Sequence, residues 1–256
     1  MPNIANLDAS GRYQFVFANI APNKIGVSVE AALYATYNGK VVLCQYISYS
    51  VKDYCYSMLS KYGDNASYGK LNTLLVDLLY YGASAQLYTD YKCNALVTEE
   101  LTADQIAWKT DTTPVLTNRL NREYQTVLNA KVTWTGAGLV LQDSVCVRFK
   151  LAADSIQNLS VVIETEDGIW LTVPSSSFEK TNGGYYVYFN NLNAGQMRKM
   201  IYATVYDGKT AVSHTLAYSI ESYAASKTNG NSGVLVDLMY AMMQYGDSAA
   251  KYAGIA

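Results

Sequence analysis

Leu78-Leu-Tyr-Tyr-Gly-Ala-Ser-Ala85 and Met242-Met-Gln-Tyr-Gly-Asp-Ser-Ala249 are two versions of one sequence, and this recurrence decides how the chain folds. Three further matches precede them in the same order and at nearly the same separation. They join residues 11–20 to 184–192, 37–40 to 206–209, and 49–51 to 218–220. Four matches in register predict two related modules in tandem, an arrangement more typical of binding proteins than of enzymes.

The composition excludes several classes of protein. The chain has 256 residues, 50% of them hydrophobic, which is enough for one large domain or two ordinary ones. Its net charge of −2 and its scattered basic residues argue against a nucleic-acid or anionic-membrane surface. No apolar run approaches the roughly 20 residues needed to span a bilayer, and the first residues lack the features of a secretory signal. We therefore expect no membrane insertion.

Tyrosine is unusually abundant, with 24 residues against five Phe and three Trp. A tyrosine offers a large, stiff contact area and one hydrogen-bonding group, which suits protein recognition. Tyrosines also cover strand faces in β-proteins, so any single one can be structural. For the excess as a whole, recognition is the favoured interpretation.

The second copy is the more complete and predicts the module. Alternating apolar residues indicate antiparallel strands at residues 129–135, 144–151, 159–164, 169–173, 185–189, 199–206 and 210–218. Gly136 and Gly138 are expected to end the first strand, and Asp207-Gly208 is expected to turn the last hairpin. Strands at this spacing predict a β-sandwich.

Each copy then changes to helical periodicity. Ser219 is a predicted N-cap, and an apolar stripe in each copy predicts a second, longer helix. The stripes are Leu71, Leu74, Leu75, Leu78, Leu79, Gly82 and Ala85, and Leu235, Leu238, Met239, Met242, Met243, Gly246 and Ala249. The fold class is therefore α+β: an antiparallel β-sandwich or hairpins followed by an αα-hairpin, in two tandem modules.

The repeat also divides the chain. We expect a first module at 1–93, a linker with a short helix at 94–128 and a second module at 129–256, with the boundary near residue 113. Thr102-Ala-Asp-Gln105 has the capping-box pattern that starts such a helix. About 50 residues of predicted strand in the second module have no counterpart in the first, so the first is truncated. A start at Met1 without a targeting signal favours a fragment of a longer protein.

No residues suggest an active site, a metal site or a cofactor. His214 is the only histidine, and Gln45 occupies its place in the first copy, so a structural role is favoured. The four cysteines have no metal-ligand spacing. Because Ser213 and Ala224 replace Cys44 and Cys55 in the second copy, small buried fillers are favoured over a disulfide. We predict that the protein is not an enzyme and binds no cofactor.

Two longer stretches suggest a family. Tyr49-Ser-Val-Lys-Asp-Tyr54 followed by Leu74-Leu-Val-Asp-Leu-Leu-Tyr-Tyr-Gly-Ala-Ser-Ala-Gln86 resembles the ending of a repeat module of large secreted and cell-wall proteins of gut commensal bacteria. The second copy matches less closely, with Asp247 and Ala250 at two of these positions. The chain further resembles superantigen-like immunoglobulin-binding surface proteins. That resemblance implies an extracellular, secreted or cell-wall-attached protein that binds antibody heavy-chain variable domains through framework residues.

Two alternatives to immunoglobulin binding stay open. The chain could be a carbohydrate-binding or scaffold module of a secreted glycan-degrading protein, in which case Trp108, Trp134 or Trp170 would stack on sugar rings. It could also be an inert display spacer.

The repeat separates two kinds of tyrosine. Matched pairs are expected to serve the fold: Tyr49/Tyr218, Tyr54/Tyr223, Tyr81/Tyr245 and Tyr88/Tyr252. Tyrosines that differ between the copies, or that have no match, are the candidates for partner contact, and Tyr80 is expected to face outward. These candidates are Tyr62, Tyr68, Tyr80, Tyr46, Tyr91 and Tyr124. Together they would supply the aromatic anchors of an interface.

Overall fold

A computed structural model describes residues 16–141 and 145–255, and within them the chain is a mixed α+β protein with antiparallel sheets. The helices are α1 (Val51–Tyr62), α2 (Gly69–Tyr88), α3 (Ala103–Ile106), α4 (Ile220–Thr228) and α5 (Val234–Ala253). The strands are β1 (Val29–Tyr37), β2 (Lys40–Tyr49), β3 (Asn121–Gln125), β4 (Thr133–Leu141), β5 (Val145–Ala152), β6 (Leu159–Thr165), β7 (Trp170–Pro174), β8 (Glu179–Thr181), β9 (Gly184–Phe189), β10 (Ile201–Asp207), β11 (Thr210–Ala211) and β12 (Thr215–Tyr218).

The strands form three sheets. β1 and β2 make a two-stranded hairpin, β3-β12-β10-β6-β7 with β11 beside β10 make the largest sheet, and β4-β5-β9-β8 make the third. The larger two share one hydrophobic core, in which Phe149 of β5 packs with Ile201 of β10 and its ring meets Tyr218 of β12 edge-on at 6.3 Å between centroids. Period-two alternation of apolar residues on β5, β6 and β10 supplies this core.

Three details of the predicted strands are wrong. β4 continues through Gly136 and Gly138, because the register shift beside Gly136 accommodates one extra residue as a bulge instead of ending the strand. The predicted strand at 210–218 is interrupted between β11 and β12. The hairpin turn lies one residue later than expected, at Gly208-Lys209, since Asp207 pairs with Thr210. The first repeat match, at 11–15, and Ser144 lie outside the described residues.

Two helices start where the sequence predicts, α4 after Ser219 and α3 after Thr102. Ser50 and Asp53 form a reciprocal capping box at α1, and the Ser219 hydroxyl accepts the Ser222 N–H at 3.0 Å at α4. Met239, Met242 and Met243 of α5 are fully buried, which confirms the predicted apolar stripe as core. The short helix α3 also starts with the predicted capping box, from Thr102.

Two glycines allow close packing at equivalent places in the two copies. A Cβ on Gly82 would lie 2.9 Å from Ile25 Cγ1 and closer still to Cδ1, and a Cβ on Gly246 would lie 2.9 Å from Met197 Sδ. Ile25 and Met197 each follow a short 3-10 turn, at Pro22–Lys24 and Ala194–Gln196. The longer helices of the two copies pack together, with the rings of Tyr81 and Tyr245 stacked at 5.7 Å.

The stretch predicted as a linker contributes to both halves. Val97 and Trp108 pack in a small core with Cys55, Leu59 and Leu79, whereas Leu116 and Leu120 pack on the large core and β3 pairs with β12. The transition from one core to the other therefore occurs between residues 108 and 116.

The cysteines only partly follow the expectation of buried fillers. All four are free thiols, and Cys55 is fully buried at the position where Ala224 is buried in the second copy. Cys44 and Cys93 are exposed, so the prediction is wrong for both, and Cys146 is half-buried. Cys44 lies on a strand whose faces are both open to solvent, which the alternation in sequence could not reveal.

Among the described residues, no helix combines the length and apolar character needed to cross a lipid bilayer.

Candidate protein-binding surface

Two of the candidate tyrosines form one aromatic platform. Tyr62 is the last residue of α1, and Tyr68 directly precedes α2. Their rings stack with centroids 4.1 Å apart and planes 23° from parallel. Tyr68 is exposed and Tyr62 half-buried, so the pair presents a broad aromatic surface to solvent. We call these two rings the tyrosine pair.

The backbone under the tyrosine pair is held from several sides. Trp108 Nε1 donates to the Gly63 carbonyl at 3.1 Å, and the Trp108 ring lies against Gly69. Asn72 of α2 donates to the Tyr62 carbonyl at 3.1 Å. These contacts reduce the freedom that a partner would otherwise have to freeze on binding.

One cation lies beside the tyrosine pair. Lys61 Nζ lies 5.0 Å from the centroid of the Tyr62 ring, within cation–π range. Lys61 is exposed, and an exposed lysine carries its positive charge at neutral pH. The platform therefore combines aromatic area with positive charge at its rim, and would suit a partner surface with an apolar centre and an acidic edge.

The second copy lacks an equivalent of the tyrosine pair. Its first helix, α4, has nine residues where α1 has twelve, and residues 229–233 lead to α5 without an aromatic residue. α1 and its connection to α2 are therefore longer than α4 and its connection to α5. A segment that differs between the two copies, and that the common fold therefore does not need, is a reasonable place for recognition.

The other four candidate tyrosines lie apart from the pair. Tyr46 is exposed on β2, Tyr91 is half-buried after α2, and Tyr124 is half-exposed on β3, its ring 4.9 Å from that of Tyr202. Tyr80 is half-buried against the small core with Lys109 Nζ 4.9 Å from its ring centroid. The expectation that Tyr80 faces outward is wrong, because α2 is covered on more sides than its apolar stripe indicates.

The matched tyrosines divide into two groups. Tyr81 and Tyr245 stack between the helices, and burial raises the pKa of both phenols. Tyr218 is buried, but its partner Tyr49 is 44% exposed. Tyr88 and Tyr252 are both exposed as well, so a match between copies does not by itself imply a structural role.

The histidine and the tryptophans have largely structural contacts. His214 Nδ1 accepts the N–H of Val127 at 2.9 Å, and its carbonyl accepts the Trp134 indole N–H at 2.9 Å. Trp134 is buried in the large core, whereas Trp170 on β7 is 62% exposed. Of the three tryptophans, Trp170 alone is mostly open to solvent, since Trp108 is half-buried under the tyrosine pair.

Four charged residues in a cleft at the second helix pair bind one another. Glu221 is buried and accepts from Arg198 at 2.6 Å and from Arg119 at 3.0 Å, while Arg198 also binds Asp247 at 2.6 Å. The hydrogen bond with Asp247 raises the pKa of Arg198. Each of these charges has a protein partner, so the cleft ties residues near 119 to α4 and α5 rather than offering a free acid or base.

The β1–β2 hairpin carries an exposed apolar surface that the sequence did not reveal. Many of its large hydrophobic side chains are exposed, and they lie on both faces: Leu33, Tyr34, Tyr37, Val41, Val42, Leu43, Tyr46, Ile47 and Tyr49. The sequence did contain one indication of this exposure, because the strands that cover the second hairpin have no counterpart in the first copy.

Comparison of the chain with protein-family models, with curated proteins and with solved structures finds no match in any of the three. Within the described residues, no group of three or more His, Cys, Asp or Glu side chains is arranged to hold a metal ion.

Proposed function

We propose that the protein is a non-enzymatic, extracellular binding protein built from two copies of one module. Each copy would be an antiparallel β-sandwich, or part of one, followed by an αα-hairpin. The matched 3-10 turns before β1 and β10, the matched glycine contacts at Gly82 and Gly246 and the matched helix caps at Ser50 and Ser219 support this arrangement.

We further propose that its partner is an antibody heavy-chain variable domain, bound through framework residues in a superantigen-like manner. The resemblance of the repeated sequence to immunoglobulin-binding surface proteins names this partner. The tyrosine pair is the observation from which we infer where on the molecule this partner binds. A rigid aromatic platform that the second copy lacks has the composition expected of an interface hot spot.

The binding step needs no chemistry beyond burial and hydrogen bonding. The partner would cover the Tyr62 and Tyr68 rings, and the phenol hydroxyls would replace water contacts with contacts to polar atoms of a framework strand. The Lys61 ammonium would pair with an acidic side chain at the rim and speed association more than it strengthens binding.

A panel of Fab fragments from different heavy-chain families tests the partner. The chain is immobilised and titrated with each Fab by biolayer interferometry, with matched light chains throughout. Binding that follows the heavy-chain family and not the antigen supports the proposal. Absence of binding to every Fab in the panel overturns it.

Substitution at the tyrosine pair tests the placement. Tyr62→Ser with Tyr68→Ser should weaken Fab binding at least about 30-fold, since hot-spot truncations cost about 2 kcal/mol or more. Tyr88→Ser with Tyr252→Ser is the matched control, because both rings are exposed on the corresponding helices. Equal affinity of the two double variants would place the contact elsewhere.

Glycan binding remains the second candidate, supported by the exposed Trp170 on β7. Sugar rings stack on open aromatic faces, and Trp134 is enclosed in the core. A glycan array probed with the chain and with Trp170→Ala tests this function. Signal that is unaffected by the substitution would remove Trp170 as the binding residue.

A further inference from the structure

The β1–β2 hairpin has neither a covered face nor a second sheet neighbour among the described residues. β1 and β2 pair only with each other there, through nine matched positions closed by a tight turn at Asn38-Gly39. Every residue of the hairpin except Val29 is exposed. Isolated two-stranded hairpins are marginal in water, and long apolar edges readily pair with other strands.

The second copy shows the same hairpin in a covered state. Val29 pairs with Tyr49 as Ile201 pairs with Tyr218, and Ala31 pairs with Ile47 as Ala203 pairs with Leu216. The register is therefore the same at the helix-proximal end of both hairpins. In the second copy these four residues are at most 2% exposed. In the first copy Ile47 is 51% and Tyr49 44% exposed.

Two elements cover the second hairpin. β6 pairs antiparallel with the outer edge of β10 over seven residues, with Ile163 opposite Ala203 and Val161 opposite Val205. The sheet of β4, β5, β9 and β8 packs on the face, where Phe149 contacts Tyr218. No described residue takes either position on the first hairpin.

We propose that the β1–β2 hairpin is a docking surface for a β-sheet layer of the kind that residues 121–181 provide in the second copy. The leading element is an antiparallel strand with the β6 pattern, apolar at alternate positions, bound along the free edge of β1. Its register follows from the repeat: the residue equivalent to Ile163 lies opposite Ala31, and the residue equivalent to Val161 lies opposite Leu33. The remaining strands of the layer cover the side chains of Val29, Leu33, Ile47 and Tyr49.

The pattern of exposed residues favours this occupant over a second copy of the chain. A second copy keeps its own β6 paired on both sides, with β10 and β7, so it has no such strand to offer. Two hairpins paired edge to edge would also leave the apolar faces open. This inference uses neither the tyrosine pair nor the immunoglobulin partner, so it can fail or hold independently of the proposed function.

Amide hydrogen exchange of the intact chain tests the edge. The probe is a synthetic peptide with the sequence of residues 157–166, Gln-Asn-Leu-Ser-Val-Val-Ile-Glu-Thr-Glu. At a concentration about nine times its Kd it should slow exchange of the β1 amides about tenfold, and leave β10 unchanged. The control peptide has Asn at the two positions equivalent to Val161 and Ile163. Equal slowing by both peptides would overturn the proposed register.

A chimera tests whether the complete β-sheet layer covers the hairpin, and it does not depend on the affinity of a short peptide. Residues 1–20 are replaced by a second copy of 114–192, because residue 20 matches residue 192 and the chain continues into equivalent 3-10 turns. The Cys44 thiol, exposed in the intact chain, should become unreactive, and the β1 and β2 amides should become as slow as those of β10 and β12. A folded chimera with fast hairpin amides and a reactive Cys44 overturns the proposal.

Two further results would also overturn it. One is a dimer of the intact chain by light scattering in which the hairpin amides are protected, since a second copy would then be the occupant. The other is protection of the β1 amides by a Fab when neither the peptide nor the chimera protects them. Monomeric chain with unprotected hairpin amides, together with protection by the peptide or in the chimera, is the expected result.

Discussion

Gly82 offers the sharpest test of how α2 packs against Ile25, which precedes β1. An added Cβ at this position meets Ile25 Cδ1 and Cγ1 and lies 3.1 Å from Val97 Cγ2. Overpacking a core by one carbon costs about 1–3 kcal/mol, and replacing Gly by Ala inside a helix returns about 1 kcal/mol. Gly82→Ala should therefore destabilise the protein by up to about 2 kcal/mol, although alanine is the better helix former.

A second substitution shows whether the clash is the cause. Ile25→Val removes Cδ1, the atom nearest to the added carbon, and alone costs about 0.5–1.5 kcal/mol. Combined with Gly82→Ala it should cost about 1 kcal/mol less than the sum of the two single changes. Urea denaturation followed by tryptophan fluorescence measures each variant, since Trp108 reports the small core and Trp134 the large one.

The matched control uses the other copy. Ile25→Val combined with Gly246→Ala should be additive, because Gly246 packs against Met197 and not against Ile25. A Gly82→Ala protein that is about 1 kcal/mol more stable than the parent, or additivity with Ile25→Val, would refute the proposed contact.

Three further outcomes follow from burial. The exposed Cys44 thiol should react with an aromatic disulfide reagent in the native protein. Cys55 should react only on unfolding, because burial shields this thiol and raises its pKa to about 12. Reaction of both thiols at the same rate would contradict the burial of Cys55 in the small core. Burial, and to a smaller extent the neighbouring Tyr245 phenol, raise the pKa of Tyr81, whereas a tyrosine in the unfolded chain ionises near pH 10. The free energy of unfolding should therefore be constant with respect to this group below about pH 10 and fall as the pH rises further, because only the unfolded chain then loses the proton. Tyr81→Phe should flatten that slope in urea denaturations at pH 8 and about 10.5, and an unchanged slope would assign it to other groups. Trp134→Ala should lower the free energy of unfolding by about 3–5 kcal/mol in the same assay, because Trp134 is buried in the large core. Trp170→Ala, at an exposed position, should change it by less than about 0.5 kcal/mol. A larger effect at Trp170 than at Trp134 would contradict these two positions.

Period and capping made much of the fold predictable. Residues that alternate every second position, as in β5 and β6, can bury one side only as strands, and the Ser219 and Thr102 caps mark helix starts by local hydrogen bonding alone. Residue propensity fails to predict where a strand ends when pairing with a neighbouring strand determines its length. Gly136 ends a strand by propensity, yet pairing with β5 carries β4 through it.

The candidate site was predictable only in part. The repeat identified Tyr62 and Tyr68 as tyrosines without a counterpart in the second copy, and the structure stacks them. It could not place Tyr80, because a half-buried position depends on Lys109 and the connecting stretch, which have no repeat counterpart. Nor could alternation reveal that Ile47 is exposed while Leu216 is buried, since both strands have the same pattern and differ only in what covers them.

Native-state hydrogen exchange on the intact chain shows whether one module occurs twice, with its hairpin covered in one copy and uncovered in the other. The comparison is between equivalent amides: those of Ala31 and Ile47 on the first hairpin, and those of Ala203 and Leu216 on the second. We expect the first pair to exchange through local opening with little protection and the second pair to exchange only through global unfolding. Equal protection of the two pairs in a monomeric chain would contradict it.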